Sequence, residues 1–144
     1  MINLLLTLQI DQITITDYHK NKVLNSIKLV ESRGCQDIKH KVMKKGIHKG
    51  QSAIGCYGLM PKTIKTVLNA SENERDMMTN LISPNGFKSI LDVDYILASR
   101  LYDKLDRRYQ GNTKKIIYSW LNGSSRKGYE SHWYVKRVIK NMGE

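Results

Sequence analysis

Acidic residues are scarce in this chain: 13 Asp and Glu stand against 24 Lys and Arg, leaving a formal net charge of +11. A chain so short of negative charge seeks a polyanion. Nucleic acid, anionic lipid headgroups and the acidic bacterial wall all qualify, and charge alone does not choose among them. A basic surface that merely stays solvated is the plain alternative. Cysteine is almost absent, with Cys35 and Cys56 only. Two cysteines make no disulfide framework, and the expectation is free thiols in a reducing compartment. There is no Cys-x-x-Cys, and His19, His40, His48 and His132 are scattered, so no metal-site spacing is present. No apolar run approaches the roughly 20 residues of a membrane-crossing helix, so no transmembrane segment is expected. The opening Met1-Ile2-Asn3-Leu4-Leu5-Leu6-Thr7-Leu8 lacks a basic stretch and a small-residue cleavage site. It reads as part of the fold and not as a signal peptide. Internal repeats and linkers are missing too.

What is present is a chain of 144 residues, 40% of them hydrophobic, which suits one domain with a real core. Residues 1–15 are apolar and end in an alternation of Ile13 and Ile15 with Thr14 and Thr16, the pattern of a short strand or extended arm. Residues 16–144 form the main domain. Thr16 or Asp17 suits the cap of a helix running to about Arg33. Residues 34–59 hold five glycines, many lysines and two histidines, a long loop of the kind that usually has a function. Pro61 fits the first turn of a helix over about 61–69. Ser71 and Glu74 make a capping box for a helix over about 72–82, followed by a turn at Ser83-Pro84-Asn85-Gly86. Tyr95, Ala98, Tyr102, Leu105 and Tyr109 share a stripe over 93–109, with Leu97 and Leu101 beside it. Asn112 or Thr113 caps a helix that ends at Asn122-Gly123, and a last helix over about 131–142 buries Tyr134, Val135, Val138, Ile139 and Met142. The fold class is mainly α, with a long loop and little or no sheet.

One residue breaks the pattern of the first helix. Lys20, Leu24, Ile27 and Glu31 lie on one stripe, flanked by Val23 and Val30, so a carboxylate points inward or along the wall of a cleft. The helix then stops at Ser32-Arg33-Gly34, where Gly34 suits a left-handed residue. Burial and the negative end of the helix dipole both disfavour the anion. Glu31 should hold its proton to high pH, the state a general acid needs. The plain alternative is a buried Glu paired with one of the many cations.

Glu31-Ser32-Arg33-Gly34 resembles the Glu-Ser-x-Gly signature of the soluble lytic transglycosylases, within the lysozyme-like (goose-type) superfamily. Ala53-Ile54-Gly55-Cys56-Tyr57-Gly58-Leu59-Met60-Pro61-Lys62-Thr63 resembles their second motif, a Gly-Leu-Met segment followed by Pro-x-Thr. Trp120-Leu121-Asn122-Gly123 stands where that family has Tyr-Asn-x-Gly, and Tyr134-Val135 fits its closing helix. Order and spacing hold from about residue 17 to 142. The departures concern sugar contacts. Pro61 follows Met60 where the family has Gln, or Gly58 takes that position if Pro-x-Thr is aligned. Trp120 replaces the Tyr, and the Asn is displaced to Asn122 or replaced by Leu121. The Lys/His-rich insert of residues 37–52 and the want of a signal peptide look more like phage-encoded members.

The resemblance implies a single lysozyme-like domain and cleavage of the β-1,4 bond between N-acetylmuramic acid and N-acetylglucosamine in peptidoglycan, with Glu31 as lone acid and base and no cofactor. The substrate's N-acetyl group assists at the anomeric carbon, and Glu31 then takes a proton from the 6-hydroxyl to close an anhydro ring; if water wins that step, the outcome is hydrolysis. Candidate substrate contacts are Ser32, Tyr57, Gly58, Met60, Trp120, Asn122 and Tyr129, with Trp133 on the far wall and Tyr118 a weaker candidate. Each has a structural alternative: a helix-end polar residue for Ser32, a core aromatic for Trp120, a helix cap for Asn122. His40 and His48 read as loop residues, and Asp92, Asp94 and Asp103 match no catalytic pattern. The partner expected is a glycan strand met by a monomer. The location expected is a phage virion, or a host cytoplasm from which the protein reaches the wall. The rivals are a nucleic-acid-binding module, disfavoured because the charges are dispersed without a groove-reading element, and a virion part with the fold but no catalysis.

Overall fold

The computed structural model describes residues 2–68 and 91–143, with side chains over 17–66 and 94–143. The capping box at Ser71, the helix read over 72–82 and the turn at 83–86 lie outside the described residues. The elements are α1 (Ile2–Ser32), α2 (Pro61–Leu68), α3 (Leu91–Tyr109), α4 (Thr113–Asn122), a single 3₁₀ turn at Tyr129–Ser131, and α5 (Trp133–Asn141). Among the described residues there is no strand; the β-type pairings are isolated bridges, Val42 with Ser52 and Ile54 with Leu59. The chain is mainly helical.

The first expectation to fail is the strand or arm at residues 1–15. The helix begins at Ile2 and runs through Thr16 and Asp17 without a cap there. Leu4, Leu5, Leu6 and Leu8 are strong helix formers, and the Ile/Thr alternation covers too few residues to override them.

From Lys20 onward α1 follows its sequence pattern. Val23, Leu24 and Ile27 are fully buried, and Lys20 pairs with Asp103 at 2.9 Å at the edge of the stripe. α1 packs on α5 and α3, α4 lies against α3 and α5, and α2 rests on α3. Leu97, Ala98, Leu101 and Leu105 of α3, Ile116 and Ile117 of α4, and Val135 and Val138 of α5 meet Ile64 of α2 in one core. Ser26 is buried on α1 and donates to the carbonyl of Val138, one polar tie across the α1–α5 contact. The stripe of α3 is buried as read at Ala98, Tyr102 and Leu105, with Leu97 and Leu101 beside it, and differs at its start. There Tyr95 is exposed and Asp94 is buried in its place, so the buried face runs Asp94, Leu97, Ala98, Leu101, Tyr102, Leu105.

The helix ends follow local chemistry. Asn112 caps α4, its side chain accepting from the N–H of Lys115, and Gly123 closes it at φ 80°. His132 caps α5 through Nδ1, which accepts from the N–H of Tyr134 at 3.2 Å. At the end of α1, Arg33, Gly34 and Cys35 all have positive φ (54°, 71° and 73°). Two of these are not glycine, a conformation that persists only where the surroundings enforce it.

Candidate active site

Glu31 lies at the C-terminal end of α1, half-buried, and its Oε1 accepts a hydrogen bond from Tyr134 Oη at 2.7 Å. Tyr134 is 1% exposed and comes from α5. The carboxyl is pressed against Gly58. A Cβ built there would stand 2.7 Å from Glu31 Cδ, so no larger residue fits without displacing the acid. Gly58 has φ +65°, a second reason for glycine. Burial pushes the Glu31 carboxyl above its ordinary range. The Tyr134 hydroxyl and the charge of His40 pull the other way without cancelling it. The acid is therefore biased towards its protonated form, by desolvation first. The Tyr134 hydroxyl is in turn held well above its ordinary value by burial and by Glu31.

Gly58 is the last residue of a four-residue turn, 55–58, closed by paired hydrogen bonds between Ile54 and Leu59 (2.8 and 3.1 Å). Four polar backbone atoms of that turn are held by side chains from outside it. His40 Nε2 donates to Gly55 O at 2.8 Å. Asp94 Oδ2 accepts from Cys56 N–H at 2.7 Å. Ser32 Oγ donates to Cys56 O at 2.7 Å and accepts from Cys35 N–H at 2.9 Å. Trp120 Nε1 donates to Tyr57 O at 2.9 Å. Cys56 is also joined to Cys35 by a disulfide, with Cα atoms 4.8 Å apart. The free-thiol expectation is thus corrected. The left-handed stop of α1 turns Cys35 back under the turn, a proximity that a sequence separation of 21 does not reveal. Together these ties fix the backbone that lies on Glu31, the kind of support a preorganised site requires.

This arrangement reassigns several candidates. Ser32 is 1% exposed with its hydroxyl engaged inside the protein, so it positions the turn and does not reach a substrate. Tyr57 is buried. Its carbonyl is taken by Trp120, its ring faces Lys28 Nζ at 5.9 Å, and burial with the nearby Asp94 raises its hydroxyl to about 12. Gly58, Met60 and Trp120 do come together: they line a groove of about 300 Å³ with Leu101, Leu105 and Arg108, and Lys62 and Lys104 add positive charge. Asn122 lies at the exposed end of α4, donating to Tyr118 O at 3.3 Å, and is a helix-end residue. Tyr129 packs at the other end of α4, beneath Lys115 and beside Asn112, roughly 10 Å along the axis from Trp120. Neither lines the groove. Trp133 is 59% exposed and meets Tyr134 edge-on at 5.6 Å, while His132 meets Tyr118 at 5.2 Å, so an aromatic surface adjoins the residue that holds Glu31.

Three further residues meet at the site: Tyr134, which the sequence pattern puts only in the core, and Asp94 and His40, to which it gives no catalytic role. Tyr134 was placed in the core but not beside Glu31; the clue was a hydroxyl in an otherwise aliphatic stripe, which needs a partner. Asp94 is 1% exposed on the apolar face of α3, the same signal that singled out Glu31. Burial raises its carboxyl, opposed by the Cys56 N–H, His40 and Lys28. Its Oδ1 has no hydrogen-bond partner among the described residues and lies against Gly55, where a Cβ would approach to 2.7 Å. His40, from the long loop, bears electrostatically on both carboxylates.

Asp94 borders a second groove of about 400 Å³, lined also by Asn21, Asn25, Lys28, Tyr57 and Tyr95. Among the described residues, no group of three or more His, Cys, Asp or Glu side chains is placed to hold a metal, and no helix is long and apolar enough to cross a membrane. No family model, no curated protein and no solved structure matches the chain.

Proposed function

We propose that this chain is a peptidoglycan-cleaving enzyme of the lytic transglycosylase type, with a lysozyme-like domain and Glu31 as its one acid and base. The observation that carries this reading is the state of Glu31. It is a carboxyl made reluctant to ionise by burial, oriented by Tyr134, and in contact with a glycine that opens onto a groove with aromatic, aliphatic and cationic walls. Glu31 is not itself in the groove lining, and Gly58 stands between them; a protonated carboxyl one glycine from a groove is the equipment for donating a proton to a glycosidic oxygen as positive charge develops at the anomeric carbon.

Asp94 does not supply the second carboxylate of an ordinary glycosidase. Its Oδ2 is bound to the Cys56 N–H, its Oδ1 lies against Gly55, and the groove it borders is not the one that Gly58, Met60 and Trp120 line. A single-acid route fits better, in which the substrate's N-acetyl oxygen attacks the anomeric carbon as Glu31 protonates the leaving oxygen. The carboxylate so formed then takes the proton of the 6-hydroxyl as that oxygen closes the anhydro ring and expels the N-acetyl oxygen. Tyr134 stabilises the carboxylate between the two steps, because its hydrogen bond is stronger to the anion. Lys62, Lys104 and Arg108 suit an anionic wall polymer, and Trp120 and Met60 suit the apolar face of a sugar ring.

Turbidity clearing of purified peptidoglycan with the wild type and Glu31→Gln tests the reading. The variant should keep its helical circular dichroism and lose about two to four orders of magnitude in rate. Mass spectrometry of the products should find anhydro ends. Reducing ends would reassign the second step to water, and equal clearing by both proteins would remove Glu31 as the acid.

A further inference from the structure

We propose that the hairpin of residues 42–52 docks the protein onto an anionic lipid bilayer. Val42 bridges Ser52, Met43 N–H donates to Gln51 O at 2.8 Å, and Gly50 N–H donates to Met43 O at 2.9 Å, so the segment closes its own hydrogen bonds. Lys62 Nζ ties its tip to α2 by donating to Ile47 O at 3.0 Å. The hairpin thus stands as a built projection of the site's long loop. It carries Val42, Met43 and Ile47 at 59%, 44% and 76% exposure, three aliphatic side chains within six residues of one another. Around them Lys39, Lys41, Lys44, Lys45 and Lys49 are all exposed, and no Asp or Glu occurs from residue 38 to 71.

Lysine alone would suit any polyanion. Exposed aliphatic residues interleaved with lysine suit a bilayer interface, where the apolar groups enter the headgroup boundary and the ammonium groups stay with the lipid phosphates. A single-stranded nucleic acid would call for aromatic stacking platforms, and residues 38–53 contain no Phe, Tyr or Trp. Ile47 also lines the 300 Å³ groove, so docking would set the groove mouth at the membrane surface. The inference stands on the hairpin alone and does not require Glu31 to be catalytic.

The test is co-sedimentation of the full chain with phosphatidylglycerol/phosphatidylcholine vesicles and with pure phosphatidylcholine vesicles, alongside binding to double-stranded DNA and to heparin. The proposal expects binding to the anionic vesicles that weakens with salt and is absent from the neutral ones. Neutralising Lys44 or Lys45 to Gln should weaken it about fivefold for each lysine removed. The pair Val42→Ser and Ile47→Ser, which leaves the charge unchanged, should weaken vesicle binding at least tenfold and leave DNA and heparin binding alone. Circular dichroism identical to wild type secures the comparison, and variants that lose the fold are replaced by Met43→Ser with the same expectation. No binding to anionic vesicles overturns the proposal. So does vesicle binding that the serine variants leave intact, which would make the hairpin a general polyanion site.

Discussion

Replacing Tyr134 by Phe removes one oxygen and leaves a ring of the same shape in the same buried place, so the effect reports on the bond to Glu31. At 2.7 Å this bond is worth about 1.5–3 kcal/mol to an ionised carboxylate and about 0.5–1.5 kcal/mol to a neutral carboxyl. Tyr134→Phe should therefore destabilise the protein by about 1–2 kcal/mol more at pH values where the folded Glu31 carboxyl has ionised than in acid, where it holds its proton. For a domain of this size that is a further drop of roughly 2–8 °C in Tm. The sign follows from linkage. The folded carboxyl binds its proton more tightly than the unfolded one, whose ordinary value is 4.5. Glu31 therefore favours the folded state fully below that value, and its contribution declines as pH rises through the higher folded pKa. Tyr134→Phe removes a group that holds the folded value down, so the decline deepens and extends to higher pH. Urea melts of the wild type, Tyr134→Phe, Glu31→Gln and the double variant at a series of pH values from 4 upward read this directly. In the Glu31→Gln background the pH dependence of the Tyr134→Phe effect should vanish, which separates Glu31 from Asp94, whose carboxyl is also raised. A Tyr134→Phe effect that stays constant across the pH range in which Glu31 titrates, or that is unchanged by Glu31→Gln, would refute the coupling. In lysis assays the same variant should move the alkaline limb upward, because the acid would keep its proton longer.

Gly58→Ala should destabilise the fold by at least about 2 kcal/mol and abolish lysis, since it joins a left-handed penalty of about 1–2 kcal/mol to a methyl driven into the Glu31 carboxyl; a urea midpoint within error of wild type would show that the turn moves freely. Removing the Cys35–Cys56 bridge, by dithiothreitol or by Cys35→Ala with Cys56→Ala, should lower stability by about 3 kcal/mol for a closed loop of this length. Thiol alkylation with mass spectrometry before and after reduction, followed by a urea melt, checks both the bridge and its effect.

The helical positions were legible because burial repeats along them. Val23, Leu24 and Ile27 could be assigned to the core from spacing, and Asn112 and Gly123 could be placed at the ends of α4 from the chemistry of caps. The same periodicity put Glu31 inside, yet it applied equally to Asp94 and left open which of the two does chemistry. That difference depends on contacts between segments far apart in sequence. Asp94 meets the N–H of Cys56, 38 residues away, and is occupied in holding a turn. Glu31 meets Tyr134, 103 residues away, and keeps an edge toward solvent. The glycines of the 55–58 turn divide the roles: Gly55 lies against Asp94, which borders the 400 Å³ groove, while Gly58 meets Glu31 and lines the 300 Å³ groove. Four of the resemblance's candidate contacts, Ser32, Tyr57, Gly58 and Trp120, converge on that turn, though mostly as its supports. These residues hold the backbone beside Glu31, and the groove beyond Gly58 is lined by other side chains besides Trp120. There Lys104 and Arg108 lie outside every motif of the resemblance, and Lys62 fills only the variable position of Pro-x-Thr. Substitutions among those three should alter substrate affinity while leaving the acid's proton equilibrium in place, because each lies on the groove side of Gly58.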